Sequence, residues 1–248
     1  MADSLTSENL QEVFSFPFQD PRWLEKFLIG SLLILVSFLF LPILPIYGYF
    51  AEVMRIAIEG KDLSLPEWDA WEKKFTDGIK LFVVGLIYTL PFILLFILSY
   101  VFLFVGAAGT DLADSTTDLT PFWTIPFMLG TLGSIAFFGL SFFLALIIGI
   151  FMPAVIAHVV ATDDLSAAFR FGEWWRIFRA NLSGFVITYL LVFGLFTALN
   201  FVLQILYMTI ILCCIVPFLI IPATLYIMVT TGILFGQAYR EGVQNLQS

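Results

Sequence analysis

Long apolar runs separated by short charged stretches set the pattern of this chain. The first run, residues 23–58, is interrupted by Leu41-Pro42-Ile43-Leu44-Pro45. Proline removes a backbone donor and clashes with the preceding turn, which predicts a kink or break there. Either one bent helix crosses a bilayer, or two short helices form a hairpin. Each half, at roughly 15 residues and 1.5 Å per residue, is short for a full span. One kinked crossing is the expectation.

Ser64-Leu65-Pro66-Glu67 then has the form of a capping box. Leu65, Trp68, Trp71 and Phe75 recur at helical spacing, with Glu67, Asp69, Glu72, Lys73 and Lys74 elsewhere around the wheel. This predicts an amphipathic helix lying in the membrane interface and ended by Gly78. Apolar residues 79–105 follow, carrying Pro91, and then a polar loop with Asp111, Asp114, Asp118 and no Lys or Arg. Residues 122–160 form the next apolar run. Beyond Asp163-Asp164, expected to cap it, lies a second amphipathic helix. Phe171, Trp174, Trp175 and Phe178 share one face there, opposite Arg170, Glu173, Arg176 and Arg179. Between Leu182 and Tyr239 there is no Asp, Glu, Lys or Arg. That length suits two crossings, 182–206 and 210–238, before a tail with Arg240.

Composition strengthens this picture. The chain is 60% hydrophobic and only 12% charged, against about 25% charged in ordinary soluble domains. A soluble core is excluded. The expected fold is all-α: a polytopic transmembrane bundle of five to six crossings with two interfacial helices. Membrane lipid is its first partner. The net charge of −8 says little about orientation, which follows Lys and Arg. With no basic stripe to neutralise phosphates, nucleic-acid binding is not expected. The adjacent Cys213 and Cys214 offer neither a disulfide framework nor a thiolate metal site. The polar, acidic first 20 residues lack a signal peptide's basic start.

Pro21, Trp23, Phe27, Gly30 and Leu32 recur 100 positions later as Pro121, Trp123, Phe127, Gly130 and Leu132. Asp62-Leu63-Ser64 likewise reappears as Asp164-Leu165-Ser166. A tandem repeat follows as an expectation. The arm is residues 1–20, the first membrane repeat 21–105, and the acidic non-cytoplasmic loop 106–120. The second repeat is 121–207, and the final helix with its tail is 208–248. The first linker region holds Arg55, Lys61, Lys73, Lys74 and Lys80, and the second holds Arg170, Arg176 and Arg179. Positive-inside logic places both Trp-rich linkers in the cytoplasm and loop 106–120 outside. Applied strictly to five crossings it leaves the N-terminus outside, against Arg22 and Lys26, which the hairpin alternative would satisfy.

Phe16-Pro17-Phe18, Asp20-Pro21, Trp23, Lys26, Ile29-Gly30, Gly48-Tyr49, Arg55, Gly60, Leu65-Pro66-Glu67-Trp68, Phe75 and Gly78 together resemble a prokaryotic membrane-protein family, domain of unknown function 4013. The likeness is specific over roughly the first 90 residues and looser later, where Gly236-Gln237 is similar to the family's ending. It implies a bacterial or archaeal cytoplasmic (inner) membrane and no mechanism.

Candidate chemistry is sparse. His158, the one histidine, could be an axial haem or pigment ligand, but a polar interfacial histidine is the expected reading. No cofactor and no metal site are expected. Glu52, Arg55 and Glu59, at i, i+3 and i+7, are expected to pair on one helix face; a gate or substrate contact is the sharper alternative. The three loop aspartates lack the glycine turn and final glutamate of a calcium loop. Gly232 and Gly236 suit close helix packing, and Trp68, Trp71, Trp174 and Trp175 suit interfacial anchoring. Catalytic motifs are not found, so enzyme activity is not expected. A structural or accessory subunit, in a hetero-complex or homo-oligomer, is the first functional expectation. The alternative is a small transporter or channel-like carrier with a site between the repeats, for which Asn200 and Gln204 are candidates for a polar pathway.

Overall fold

The computed structural model describes the backbone of residues 7–114, 120–208 and 216–247. Those residues are helical or connecting, with eight α-helices among them: α1 (Ser7–Gln19), α2 (Trp23–Leu35), α3 (Ile43–Glu59), α4 (Trp71–Asp114), α5 (Thr120–Thr162), α6 (Phe171–Ala180), α7 (Leu182–Tyr207) and α8 (Val216–Gln247). Cys213, Cys214 and the side chains of Asp111, Asp114 and Asp118 lie outside the described residues. Four helices are long and apolar enough to cross a membrane, over Trp71–Ala108, Phe127–Thr162, Leu182–Tyr207 and Phe218–Gln247. The protein is an all-helical membrane protein on that ground.

The first apolar run is two helices rather than one bent helix. A short 3₁₀ turn, Ser37–Leu39, follows α2, and Phe40 takes a left-handed φ of 62°. Pro42 then sits just ahead of α3 and Pro45 in its first turn, where a proline costs no intrahelical hydrogen bond. The same chemistry that predicts a kink therefore produces a turn. At its other end α3 stops on Gly60, φ 68°, with the Lys61 amide donating to the Ile56 carbonyl at 3.1 Å. Only glycine enters that left-handed conformation without cost.

Residues 61–70 are not helical, which corrects the expected capping box. Glu67 is drawn off by Arg22 and Lys26, and the amphipathic residues from Trp71 onward are the opening turns of α4 itself. Gly78 does not end a helix. It and Gly48 sit at a backbone crossing, where a Cβ on Gly48 would collide with the Lys74 carbonyl and one on Gly78 with the Leu44 carbonyl. The second amphipathic stretch does form a separate helix, α6, but Asp164 caps the 3₁₀ turn before it, accepting from the Ser166 amide, and not α6 itself, which starts after Arg170 without a side-chain cap.

Two compact units divide the chain, one of Met1–Val84 with Pro153–Ser248 and one of Gly85–Met152. In the first, α8 is the hub: α1, α2, α3, α6 and α7 all pack on it. Leu225, Val229, Ile233 and Leu234 of α8 join Val13, Phe16, Phe27, Tyr49, Val53 and Ala57 in the core. Of the four candidate spans α8 is accordingly the most enclosed, with 39% of its most apolar stretch buried against 6–11% in the others. The expected final helix is thus a central strut.

The second unit is a helical hairpin. A Cβ on Gly106 would lie 3.3 Å from the Gly130 Cα, so two small residues bring the backbones of α4 and α5 close. Phe102 and Phe137 flank this contact, with ring centroids 5.1 Å apart. Buried Ser99 and Ser141 donate to the Phe96 and Phe138 carbonyls one turn back, at 2.7 and 2.8 Å, which satisfies both hydroxyls without water.

The segments in 100-residue register fold differently. Pro42 and Pro45 break the first, whereas Phe142 and Ala145 stand at the matching positions of the second and α5 runs through unbroken.

Candidate functional site

Charged side chains at the ends of α3, α4 and α5 converge in the first unit. The α3–α4 crossing at Gly48 brings Lys74 into the interior, 1% exposed, with Nζ donating to Glu52 Oε2 at 2.6 Å and to the Asp69 carbonyl at 3.1 Å. A buried ammonium persists only with such partners. One turn on, Asp77 is 4% exposed and accepts from Arg55 at 2.8 Å. Lys73 and Lys80 stand 3.3 and 3.6 Å from its other carboxylate oxygen, close enough for ionic attraction but without a hydrogen bond to that oxygen.

Asp163 closes the cluster. It leaves α5 with a left-handed φ of 54°, a conformation aspartate tolerates better than most residues. There its carboxylate accepts from Lys73 at 2.8 Å and from Lys80 at 2.6 Å, and those two lysines hold its pKa well below the usual carboxylate range. The ends of α3, α4 and α5 are thereby clamped. Beside the clamp Glu52, Arg55, Glu59, Lys61, Lys73 and Asp77 line a cleft of ≈ 230 Å³.

The expected trio of Glu52, Arg55 and Glu59 is therefore redistributed. Arg55 goes to Asp77 and approaches Asp163 at 3.9 Å, Glu52 goes to Lys74, and Glu59 pairs with Lys61. Pairing along one exposed helix face is worth only tenths of a kcal/mol. The partners on α4, Lys74 at 1% and Asp77 at 4% exposure, are more buried and win.

A second polar group surrounds the start of α2. Lys26, 5% exposed, donates to Asp20 at 2.6 Å and to the Leu65 carbonyl at 2.7 Å, and lies 2.8 Å from Glu67. Burial works against its charge, but the bonds to Asp20 and Glu67 outweigh it and raise the pKa. Trp68 donates from its indole to the Lys26 carbonyl at 2.9 Å and stacks on Tyr49, centroids 4.3 Å apart.

His158 is buried within the chain. Its Nε2 lies 3.1 Å from a Glu173 carboxylate oxygen and its Nδ1 2.8 Å from the Tyr239 hydroxyl. An ionised carboxylate only accepts, so Nε2 donates to Glu173 and, in the neutral ring, Nδ1 accepts from Tyr239. Both nitrogens are engaged, tying α5, α6 and α8 together; the weak haem-ligand candidacy would require one bond to break. Among the described residues no three His, Cys, Asp or Glu are grouped to hold a metal ion.

Gly232 and Gly236 pack within the chain, against Val53 and Phe50 and against Ala57 of α3. Trp68 and Trp174 turn inward, while Trp71 and Trp175 are exposed as anchors would be. Asn200 and Gln204 face outward from α7, with the Asn200 amide donating to the Phe196 carbonyl at 2.9 Å.

Sequence reading missed Lys26, Lys74, Asp77, Asp163, Glu173 and Tyr239 as partners. Their one signal is position: all but Glu173, which sits within α6, lie at a margin of an apolar run, where a charge or hydroxyl can be held between neighbouring helix ends.

No curated protein and no solved structure matches the chain. The model of the family described as Protein of unknown function (DUF4013) matches residues 31–208. That span holds the whole Arg55–Asp77–Asp163 clamp and His158, but not Lys26 or Tyr239. The chain belongs to this family of unknown function.

Proposed function

We propose that this protein is a structural or accessory subunit of a larger assembly in a prokaryotic cytoplasmic membrane, without catalytic activity of its own. The observation that carries this reading is the outward placement of Asn200 and Gln204, one turn apart on α7, among exposed Phe193, Phe196, Phe201 and Ile205. An amide facing hydrocarbon is costly. A neighbouring helix that takes its hydrogen bonds recovers about 0.6–2 kcal/mol per contact. The same placement counts against the carrier alternative, since a substrate path between the repeats would need those amides inside.

All 11 Lys and Arg residues belong to the first unit, and positive-inside logic assigns the charged clamp and the two Trp-rich linkers to the cytoplasm. The acidic loop 106–120 is then outside.

The test is gentle detergent extraction and native-gel migration of the wild type and of a variant carrying Asn200→Leu and Gln204→Leu. The expected wild type runs well above a lone 28.0 kDa chain in its micelle, and the variant falls to that smaller species with unchanged thermal stability. A wild type that runs alone overturns the proposal, as does a variant that keeps its assembly but loses solute flux in vesicles.

A further inference from the structure

We infer that α2 and α3 form a re-entrant hairpin that enters the membrane from the face bearing the charged clamp, places its tip among the acyl chains and returns to the same face. This is independent of the subunit reading. Its first support is length. At 13 and 17 residues the helices measure about 20 and 26 Å, each short of the roughly 30 Å hydrocarbon core.

The ends supply the second support. At the start of α2, Arg22 and Lys26 are tied to Glu67 and to the Leu65 carbonyl. Those partners belong to the 61–70 linker, which leaves the far end of α3 at Gly60. The charges at the start of α2 are therefore held by the linker that begins at the end of α3, which puts both ends of the segment on one face. The 25 residues between, from Phe27 to Ala51, include no Asp, Glu, Lys or Arg.

Surface chemistry identifies what covers the hairpin. Leu24, Leu28, Leu32 and Leu35 are all more than half exposed and repeat at helical spacing along α2, opposite buried Lys26, Phe27 and Gly30. At the turn Phe38, Leu39, Phe40 and Leu41 are 61–76% exposed. Four consecutive large apolar side chains at a loop tip are unfavourable in water. Bare backbone is equally unfavourable in hydrocarbon, and most of this tip meets that demand. The amides of Val36, Leu39, Phe40, Leu41, Ile43 and Leu44 all donate within the turn, and Pro42 has none. From Lys26 to Leu35 α2 advances about 14 Å, roughly half of the hydrocarbon core. The tip so placed lies near the bilayer midplane, with acyl chains around the leucine stripe.

The full chain, with Cys213→Ser and Cys214→Ser, is reconstituted in phosphatidylethanolamine–phosphatidylglycerol vesicles, and single cysteines are introduced at Gln11, Ser64 and Phe40. A membrane-impermeant thiol reagent is expected to reach Gln11→Cys and Ser64→Cys from the same side. A spin label on Phe40→Cys, an exposed position that tolerates change, is expected to collide with dissolved oxygen at least tenfold more readily than with a polar nickel chelate. Labelling of the first two positions from opposite sides means a full crossing and overturns the inference. So does a label open to the nickel chelate, which places the tip in water, or one shielded from both, which places it under protein.

Discussion

Gly236 of α8 lies so close to Ala57 of α3 that a Cβ on the glycine would fall 2.7 Å from the alanine's own. The hub of the first unit depends on this contact, because α3 reaches α8 along the line of Gly232 and Gly236. Overpacking a closed interface costs about 1–3 kcal/mol. Gly236→Leu should lower the thermal midpoint in detergent, and Gly236→Ala should do so less. An unchanged midpoint for the leucine variant means that α3 does not pack there.

Stripping one partner from a buried ion pair costs roughly 3–5 kcal/mol. Arg55, at 22% exposure, is open enough to place Asp77→Asn at the low end of that range. Denaturation in mixed micelles should report a loss of that size. A double variant adding Arg55→Met should recover part of it, since the orphaned guanidinium is then gone.

Acid should loosen the clamp in a defined direction. The Asp163 pKa is depressed in the folded state by Lys73 and Lys80, so its contribution is complete above the unfolded aspartate value of about 3.9. That contribution fades as pH falls below it, towards the folded value. The stability difference between wild type and Asp163→Asn should be constant from pH 7 to 5 and shrink below pH 4. A difference that grows on acidification contradicts the clamp.

Tyr239→Phe removes the hydroxyl that His158 Nδ1 uses and leaves that nitrogen without its bond in a buried site. About 1–3 kcal/mol should be lost, seen as earlier unfolding and as faster proteolysis between α5 and α6. Glu173→Gln retains an acceptor for Nε2 and should cost less.

Much of this architecture could be read from the residues. The uncharged stretch from Leu182 to Tyr239 announces α7 and α8, and α6 follows from its spacing, although Asp164 caps the turn before it and only Trp174 and Phe178 of its four expected aromatics are buried. The first segment could not be resolved in the same way. Pro42 and Pro45 are compatible with a kink or a turn, and the outcome rests on Phe40 entering a left-handed conformation and on Lys26 finding Asp20 and Glu67. The capping box failed for a related reason: Glu67 meets Arg22 and Lys26, which are remote in sequence, before it can cap Ser64. Arg55 likewise prefers Asp77, 22 positions away, to its own helix neighbours. Local spacing reports which partners are near along a helix; burial decides which are kept.

The most direct test of the membrane account is sided labelling of single cysteines at Ser64, Ser166 and Thr116 in inverted and right-side-out vesicles. Ser64→Cys and Ser166→Cys should react from the cytoplasmic side and Thr116→Cys from the opposite one. Reaction of Ser64→Cys and Ser166→Cys from different sides, or of all three from one, would contradict the four crossings and the one-sided clamp.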